Sequence, residues 1–332
     1  MLALITDPRF QDHHPGEAHV ELPARAAAVL RATRHSAVRD AIVELAPRAA
    51  SDAELLSVHR QSVLDRLTEV EGTWGQLDAD TAVSPDSVPV ARLAAGAGLV
   101  AIEALRNGDA DAAFCAVRPP GHHATPTRSM GFCLVNNIAI AARSLADAGE
   151  RVLIADFDAH HGNGTQDVFY DDPRVLFVSW HQWPLYPGSG RLAEIGSGDA
   201  IGTTVNLPVP PRTTGDLYLA LIDEVVGGII DRFGPTWLLI SAGFDAHRYD
   251  PIAELGLSSG DFAAITSVLM QAVGPGRTIG FLEGGYDVDA LEWSAAGCLA
   301  ALAGVTLHPE APTSGVFRAD LAHRVAVAQG LV

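Results

Sequence analysis

The sequence predicts an α/β fold: a mostly parallel sheet with helices on both faces and the active site at the carboxyl ends of the strands. Short β-type runs alternate with longer helical patterns along most of the 332 residues, which is the rhythm of strand–helix–strand units. The runs are almost continuously apolar, as strands buried on both faces must be. Residues suited to catalysis follow the runs directly, where the loops of such sheets gather their ligands.

In chain order, Met1–Thr6 is a short apolar stretch closed by Asp7-Pro8-Arg9. It reads as a first strand rather than the hydrophobic stretch of a signal peptide. A helical pattern over Pro89–Asn107 precedes the run Ala112–Val117 (AAFCAV), and a second over Asn136–Ala148 precedes Arg151–Asp156 (RVLIAD). Val175–Ser179 (VLFVS) follows, then a helix over Thr214–Phe233, the run Trp237–Ala242 (WLLISA) and a helix over Ser259–Gln271. Thr278–Leu282 (TIGFL) and a helix over Leu291–Ala303 complete the series. With no repeat, low-complexity tract or long linker, residues 1–332 are expected to form one domain. No apolar run is expected to reach membrane-spanning length, so no membrane partner is anticipated.

Nearly half of the chain is apolar, at 48%, which permits a large core without covalent staples. The three cysteines, Cys115, Cys133 and Cys298, are too few and scattered for a disulfide framework or a cysteine metal cage. That pattern suits a reducing, cytoplasmic setting. The formal net charge is −18 and every basic side chain is arginine. Such a surface disfavours nucleic acid, since it offers little positive field for phosphates, and it is compatible with a cationic partner. Acidity mostly reports solubility and weighs little here, and nothing in the composition sets an oligomeric state.

Four strand ends deliver the candidate chemistry to one rim. Arg118-Pro119-Pro120-Gly121-His122-His123 follows AAFCAV, and Asp156-Phe157-Asp158-Ala159-His160-His161-Gly162-Asn163-Gly164 closes RVLIAD. Gly243-Phe244-Asp245 follows WLLISA, and Glu283-Gly284-Gly285-Tyr286 follows TIGFL. Asp158 and His160 stand two apart, so the period of an extended chain turns both to one side. Asp245 adds a second carboxylate. Two carboxylates and one imidazole can hold a Zn²⁺ and leave a position open, which separates a catalytic site from a structural one. An isolated Asp-x-His is more often a turn; joined to Asp245 and a histidine pair it reads as a metal site.

His122 and His123 lie in a loop stiffened by Pro119 and Pro120, and imidazole suits acid–base work near neutral pH. A carboxylate behind one ring raises its pKa, whereas a neutral amide behind the other does not. Asp156 and Asn163 are the candidates for those roles. Tyr286 follows two glycines that let backbone approach a substrate closely, and its hydroxyl can donate to a developing oxyanion. Metal-assisted amide hydrolysis uses all of these groups.

The segments RPPGHHA, GFCLVNN, ADFDAHHGNGTQ, SAGFDAH and EGGYD match a known family in order and spacing. Weaker marks are His19-x-Glu21-x-Pro23-x-Arg25 and Leu77–Ser87 (LDADTAVSPDS). From about Asp12 to Ala303 the sequence resembles the zinc-dependent histone deacetylases and acetylpolyamine amidohydrolases, nearest to class II-like bacterial members. The resemblance implies the arginase–deacetylase fold, with Zn²⁺ on Asp158, His160 and Asp245. It implies His122 and His123 as the acid–base pair and Tyr286 as the carbonyl-polarising residue. Gly131 and Phe132 would line a narrow acyl-lysine channel, with Tyr186 (or Leu185) as the wall opposite, and Ile252 and Gly284 beside it. Asp86 would take the rim position that grips the substrate. Structural K⁺ is implied at Asp156, Asp158, His160, Ser179 and Trp180, and part of a second site at Phe169, Asp172 and Val175.

Departures from the family pattern refine the expectation. Asn163 stands where class I members carry Asp, which supports the class II-like assignment. Tyr286 is kept where some vertebrate enzymes have a weakly active His. Ile252 follows Asp250-Pro251 where a polyamine-selective relative has a glutamate, and Glu71–Pro89 lacks the long insertion of acetylpolyamine amidohydrolases. The expected activity is therefore hydrolysis of acyl-lysine amides in proteins or small molecules, with acetylpolyamines the alternative. The oxygen and nitrogen donors accept Fe²⁺ as well as Zn²⁺. A manganese ureohydrolase of the same fold would need a carboxylate-rich two-metal cluster, and a pure binding module would not need the complete set. Among the other histidines, His13, His14 and His35 are expected to be solvated or near the rim, and His59 and His181 to pack. His19 and Arg25 either shape an inner cavity or form a structural ion pair.

Overall fold

A computed structural model describes residues 1–307, 309–315 and 319–332. The chain begins with β1 (Leu2–Ile5), α1 (Ala24–Ala32), β2 (Ile42–Leu45), α2 (Asp52–Leu56) and α3 (Gln61–Val70). A small antiparallel pair, β3 (Gly75–Gln76) and β4 (Ala82–Val83), precedes α4 (Ser87–Asn107), β5 (Ala112–Cys115) and α5 (Asn137–Asp147). Then come β6 (Val152–Asp156), α6 (Asn163–Phe169), β7 (Val175–Gln182), β8 (Thr204–Val209), α7 (Gly215–Leu221) and α8 (Gly227–Phe233). The series closes with β9 (Trp237–Ala242), α9 (Ser259–Leu269), β10 (Thr278–Leu282), α10 (Val288–Leu302) and α11 (Ala319–Ala328).

Eight strands form one sheet in the order β2-β1-β5-β10-β9-β6-β7-β8, and every pairing in it is parallel. Alternate side chains of each strand feed opposite cores. Leu2 and Leu4 of β1 join Phe114, Leu153 and Trp180 and the inner faces of α1, α7, α9 and α10. Ala3 and Ile5 join Ile154, Phe177 and Phe281 and the inner faces of α3, α4 and α5. Burial on both faces explains the continuous apolar runs.

The predicted runs are the central strands, and the structure adds the edges. β8 reads TVNLPV, and its Asn206 and Pro208 hide the strand; proline is tolerated there because β8 is an edge strand. β7 continues past Ser179 because the polar His181 and Gln182 find partners, His181 at Ser179 Oγ and Gly190 O and Gln182 at the Glu254 N–H. The helix expected over Thr214–Phe233 is interrupted by a π turn at Ile222–Val226, where the Gly227 N–H donates to Ile222 O. Against expectation, α4 is long and apolar enough, by length and composition, to cross a membrane. Its alanines and glycines are instead mostly buried, packed on α5, β5 and β1.

His59 packs as expected and pins the loop after β5. Its Nδ1–H donates to Thr125 O at 2.9 Å, and Nε2 accepts from the Asn136 N–H at 2.9 Å. Burial lowers its pKa to about 4, outweighing the bond to Thr125. A proton on Nε2 would also face that donor. The folded state thus keeps His59 neutral while the unfolded chain takes up a proton near pH 6.5, so stability from this site is lost as pH falls from 6.5 towards 4. Between pH 7 and about pH 4.5 the wild type should lose about 2–3 kcal/mol more than His59→Gln. Urea denaturation of both proteins at the two pH values checks this, and equal losses would remove His59 from the acid response.

Candidate active site

The four motif-bearing loops leave β5, β10, β9 and β6, which are contiguous in the middle of the sheet. Strand order therefore brings together residues more than a hundred positions apart. Asp158, His160 and Asp245 are buried, with one donor atom from each lying within 4.8 Å of the others. His160 Nδ1 is 2.8 Å from Asp245 Oδ2 and 3.3 Å from Asp158 Oδ1. Burial opposes charge on His160, yet the two carboxylates raise its pKa to about 10. That concentration of negative charge on converging oxygen and nitrogen donors is what a divalent cation neutralises, so the residues fit a metal.

Backbone amides hold the acidic donors in place. Asp158 accepts from the His160 and Gly284 N–H groups at 2.9 and 2.8 Å, and Asp245 Oδ1 accepts from the Ala159 N–H at 2.7 Å. Gly284 was expected in the channel; it lies instead behind the carboxylates, buried, and does not line the cavity. A Cβ there would come within 2.4 Å of Asp245 Oδ2 and 2.6 Å of Asp158 Oδ2. Gly284→Ala is therefore expected to weaken metal binding by about 10- to 100-fold, the usual effect of disturbing the support of a ligand. Competition with a chelator measures this, and wild-type affinity would mean that the carboxylates yield without cost.

The histidine pair has the predicted supports. His122 Nδ1–H donates to Asp156 Oδ2 at 3.0 Å, and His123 Nδ1–H donates to Asn163 Oδ1 at 2.8 Å. The rings stand 4.0 Å apart between centroids. Burial disfavours charge on both, but Asp158 and Asp156 outweigh it at His122 and raise its pKa to about 10. At His123 burial and the neighbouring His122 and His160 push the pKa well below its usual value. Two adjacent imidazoles are thus driven apart, one cationic and one neutral. Glu283, which sequence reasoning passed over, holds the pair from below: its Oε2 accepts from the Gly121 and His122 N–H groups at 2.6 and 3.1 Å.

A cavity of about 220 Å³ leads to these groups, lined by Asp80, His123, Gly131, Phe132, His160, Tyr186, Ile252 and Tyr286. Tyr186, not Leu185, is the second aromatic wall, edge-on to His123 at 5.3 Å. Phe132 stands edge-on to Tyr286 at 5.9 Å. Gly131 and Phe132 both have positive φ, 59° and 66°. A Cβ on Gly131 would sit 2.4 Å from the His123 ring, so the close approach requires glycine. Burial raises the Tyr286 phenol well above its ordinary pKa, which keeps it a proton donor.

Asp86 does not reach the rim; it is exposed at the start of α4, and Asp80 lines the mouth instead. The local signal was D-x-D-T: Asp78 Oδ1 accepts from the Asp80 and Thr81 N–H groups, a turn that aims Asp80 at the Gly131 N–H. His13 is buried rather than solvated, bonded to Ser87 Oγ and 3.4 Å from Glu21. His14 is half-buried and His35 exposed. Arg25 pairs with Glu21 and lies 4.9 Å from the Tyr286 ring, donating to the carbonyls of Glu283 and Gly285. Arg118 clasps the same Glu21. The ion pair and the support of the Tyr286 loop are therefore one structure, while His19 lies against Phe132. At the proposed K⁺ positions, Ser179 pairs with Asp156 in the sheet and Trp180 follows it. Phe169, Asp172 and Val175 are linked by two successive turns, the Asp172 N–H donating to Phe169 O and the Val175 N–H to Asp172 O, with the Asp172 carboxylate taken by Arg143 and Arg174.

The histone deacetylase domain model matches residues 19–302. A probable deacetylase of Archaeoglobus fulgidus is 39% identical over 92% of this chain and 87% of its own length. One of Methanothermobacter thermautotrophicus is 40% identical over 95% and 94%. A histone deacetylase-like amidohydrolase of Pseudomonas aeruginosa is 38% identical over 71% and 64%. The crystal structure of the HDA15 HD domain superimposes with a TM-score of 0.89 at 32% identity, over 99% of this chain and 93% of that one. With this fold, this donor set and these relatives, the chain belongs to the histone deacetylase family, whose members are metal-dependent hydrolases of amides.

Proposed function

We propose that the protein is a lysine deacylase that hydrolyses the amide of acyl-lysine, in a protein or a small molecule, with Zn²⁺ or Fe²⁺ held by Asp158, His160 and Asp245. The observation that carries the substrate reading is Ile252 in the wall of the 220 Å³ cavity. An apolar side chain there favours the methylene stem of lysine, whereas a charged polyamine calls for a carboxylate at that position. Asp80 at the mouth can accept from a substrate N–H, and Phe132 and Tyr186 present apolar faces to the stem between mouth and metal.

A metal held by Asp158, His160 and Asp245 would supply Lewis-acid polarisation of the amide carbonyl and of the attacking water. His123, neutral and with Nδ1–H bonded to Asn163 Oδ1, presents Nε2 to the cavity as the base that takes the proton from water. His122, with Nδ1–H bonded to Asp156, stays protonated and offsets negative charge building beside it. Tyr286 donates its hydroxyl to the oxyanion, and His123 returns its proton to the departing amine. K⁺ near Asp156, Asp158, His160, Ser179 and Trp180 belongs to the proposal. It is supported by Ser241 Oγ, which is buried beside Asp156 in the strand register and has no hydrogen-bond partner among the described residues. A second K⁺ at Phe169, Asp172 and Val175 would rely on backbone oxygens, since arginines occupy the Asp172 carboxylate.

The test is release of acyl groups from acyl-lysine peptides and from acetylpolyamines, by metal-stripped protein with and without Zn²⁺. Metal-restored turnover of acyl-lysine supports the reading. Turnover confined to acetylpolyamines keeps the chemistry and overturns the substrate.

A further inference from the structure

Asp250 lies in the same loop after β9 as Asp245 and is buried at 8% exposure. Both of its carboxylate oxygens are engaged by backbone amides. Oδ2 accepts from the Tyr286 N–H at 2.7 Å and Oδ1 from the Ile252 N–H at 3.0 Å. Tyr286 and Ile252 come from loops after different strands, β10 and β9, and both line the cavity. Tyr286 needs such a hold. It is preceded by Gly284 and Gly285, the latter at φ 115°, and followed by Asp287, which caps α10 by accepting from the Ala290 N–H. Between a glycine pair and a helix cap, the position of the phenol depends on what grips its backbone.

We propose that Asp250 is a positioning residue that ties the Ile252 wall to Tyr286 through one carboxylate. The surface meeting the substrate stem and the hydroxyl meeting the oxyanion are thereby held in a single register. Only an ionised carboxylate can accept from both donors with two equivalent oxygens; an amide would turn an NH₂ group against one of the N–H groups. A displacement of the reacting group by about 1 Å costs on the order of 10²-fold in rate, so a lost grip is visible in kcat. The proposal rests on the reading of this site as an acylated-amine hydrolase.

A double-mutant cycle with amide hydrogen exchange tests it. Asp250→Asn should lower kcat by about 10- to 100-fold with metal content unchanged, but by less than about 3-fold in a Tyr286→Phe background, because the hydroxyl it positions is gone. Exchange should quicken at the Ile252 and Tyr286 amides together, with β9 and β10 still protected. Asp250→Ser, which leaves one acceptor, is the second variant should the first fold poorly. Equal kcat losses in both backgrounds, undiminished kcat, or exchange quickened throughout the sheet would each overturn the positioning role. If the wild type turns over no acylated amine, the hydrolase reading fails by itself, and the exchange measurement still decides whether Asp250 holds the two segments.

Discussion

Asp245→Ala should yield a folded protein that binds no divalent metal and has no measurable turnover. The variant removes one of the three proposed metal ligands and unbalances the other two. His160 Nδ1 loses its 2.8 Å partner and the Ala159 N–H loses its acceptor. A catalytic metal site with three protein ligands has none to spare, because its remaining positions serve water and substrate. Asp158→Ala should act in the same direction, with more disruption, since its carboxylate also organises the His160 and Gly284 amides. Metal content of the purified variants and acyl release measured side by side check the expectation. Stoichiometric metal in Asp245→Ala would sink the assignment of the triad. Retained turnover without metal would sink the hydrolytic role given to it.

The contrast between what the sequence revealed and what it hid follows from the physics of each residue. Central strands such as RVLIAD and WLLISA are apolar on both faces and announce themselves, and their order in the sheet places the metal donors and the histidine pair at one rim. Edge strand β8 does not, because an edge tolerates Asn206 and Pro208. Asp158 and His160 stood out as candidate metal ligands only once their spacing was joined to Asp245, after another strand, and to the histidine pair. Asp80 was not: the choice between it and Asp86 depends on an Asp78 turn that bends the backbone by local side-chain bonds. Gly284 was misplaced for a related reason. A glycine signals close approach, but only the fold tells whether substrate or a carboxylate approaches. Buried supports such as Glu21, Arg118, Glu283 and Asp250 carry charges that look like surface residues in a sequence, and only their partners across the fold distinguish them.

Tyr286→Phe should leave the metal and the substrate affinity in place and lower kcat by about 10²- to 10³-fold, the effect of removing one oxyanion donor. The ring remains between Phe132 and the Arg25 guanidinium, so packing is preserved and the change is confined to one hydroxyl. The phenol is raised well above its ordinary pKa by burial. It therefore keeps its proton across the working pH range and is available as a donor rather than a base. Its interaction strengthens only as the carbonyl oxygen gains charge, which is why the loss should fall on kcat rather than KM. Steady-state kinetics on an acyl-lysine peptide, together with metal content, separate the outcomes. A loss in KM with kcat intact would make Tyr286 a binding residue of the channel. A loss of metal would mean that the aromatic ring supports the donor set rather than the oxyanion. Unchanged kinetics would return the whole of carbonyl polarisation to the metal and the histidine pair.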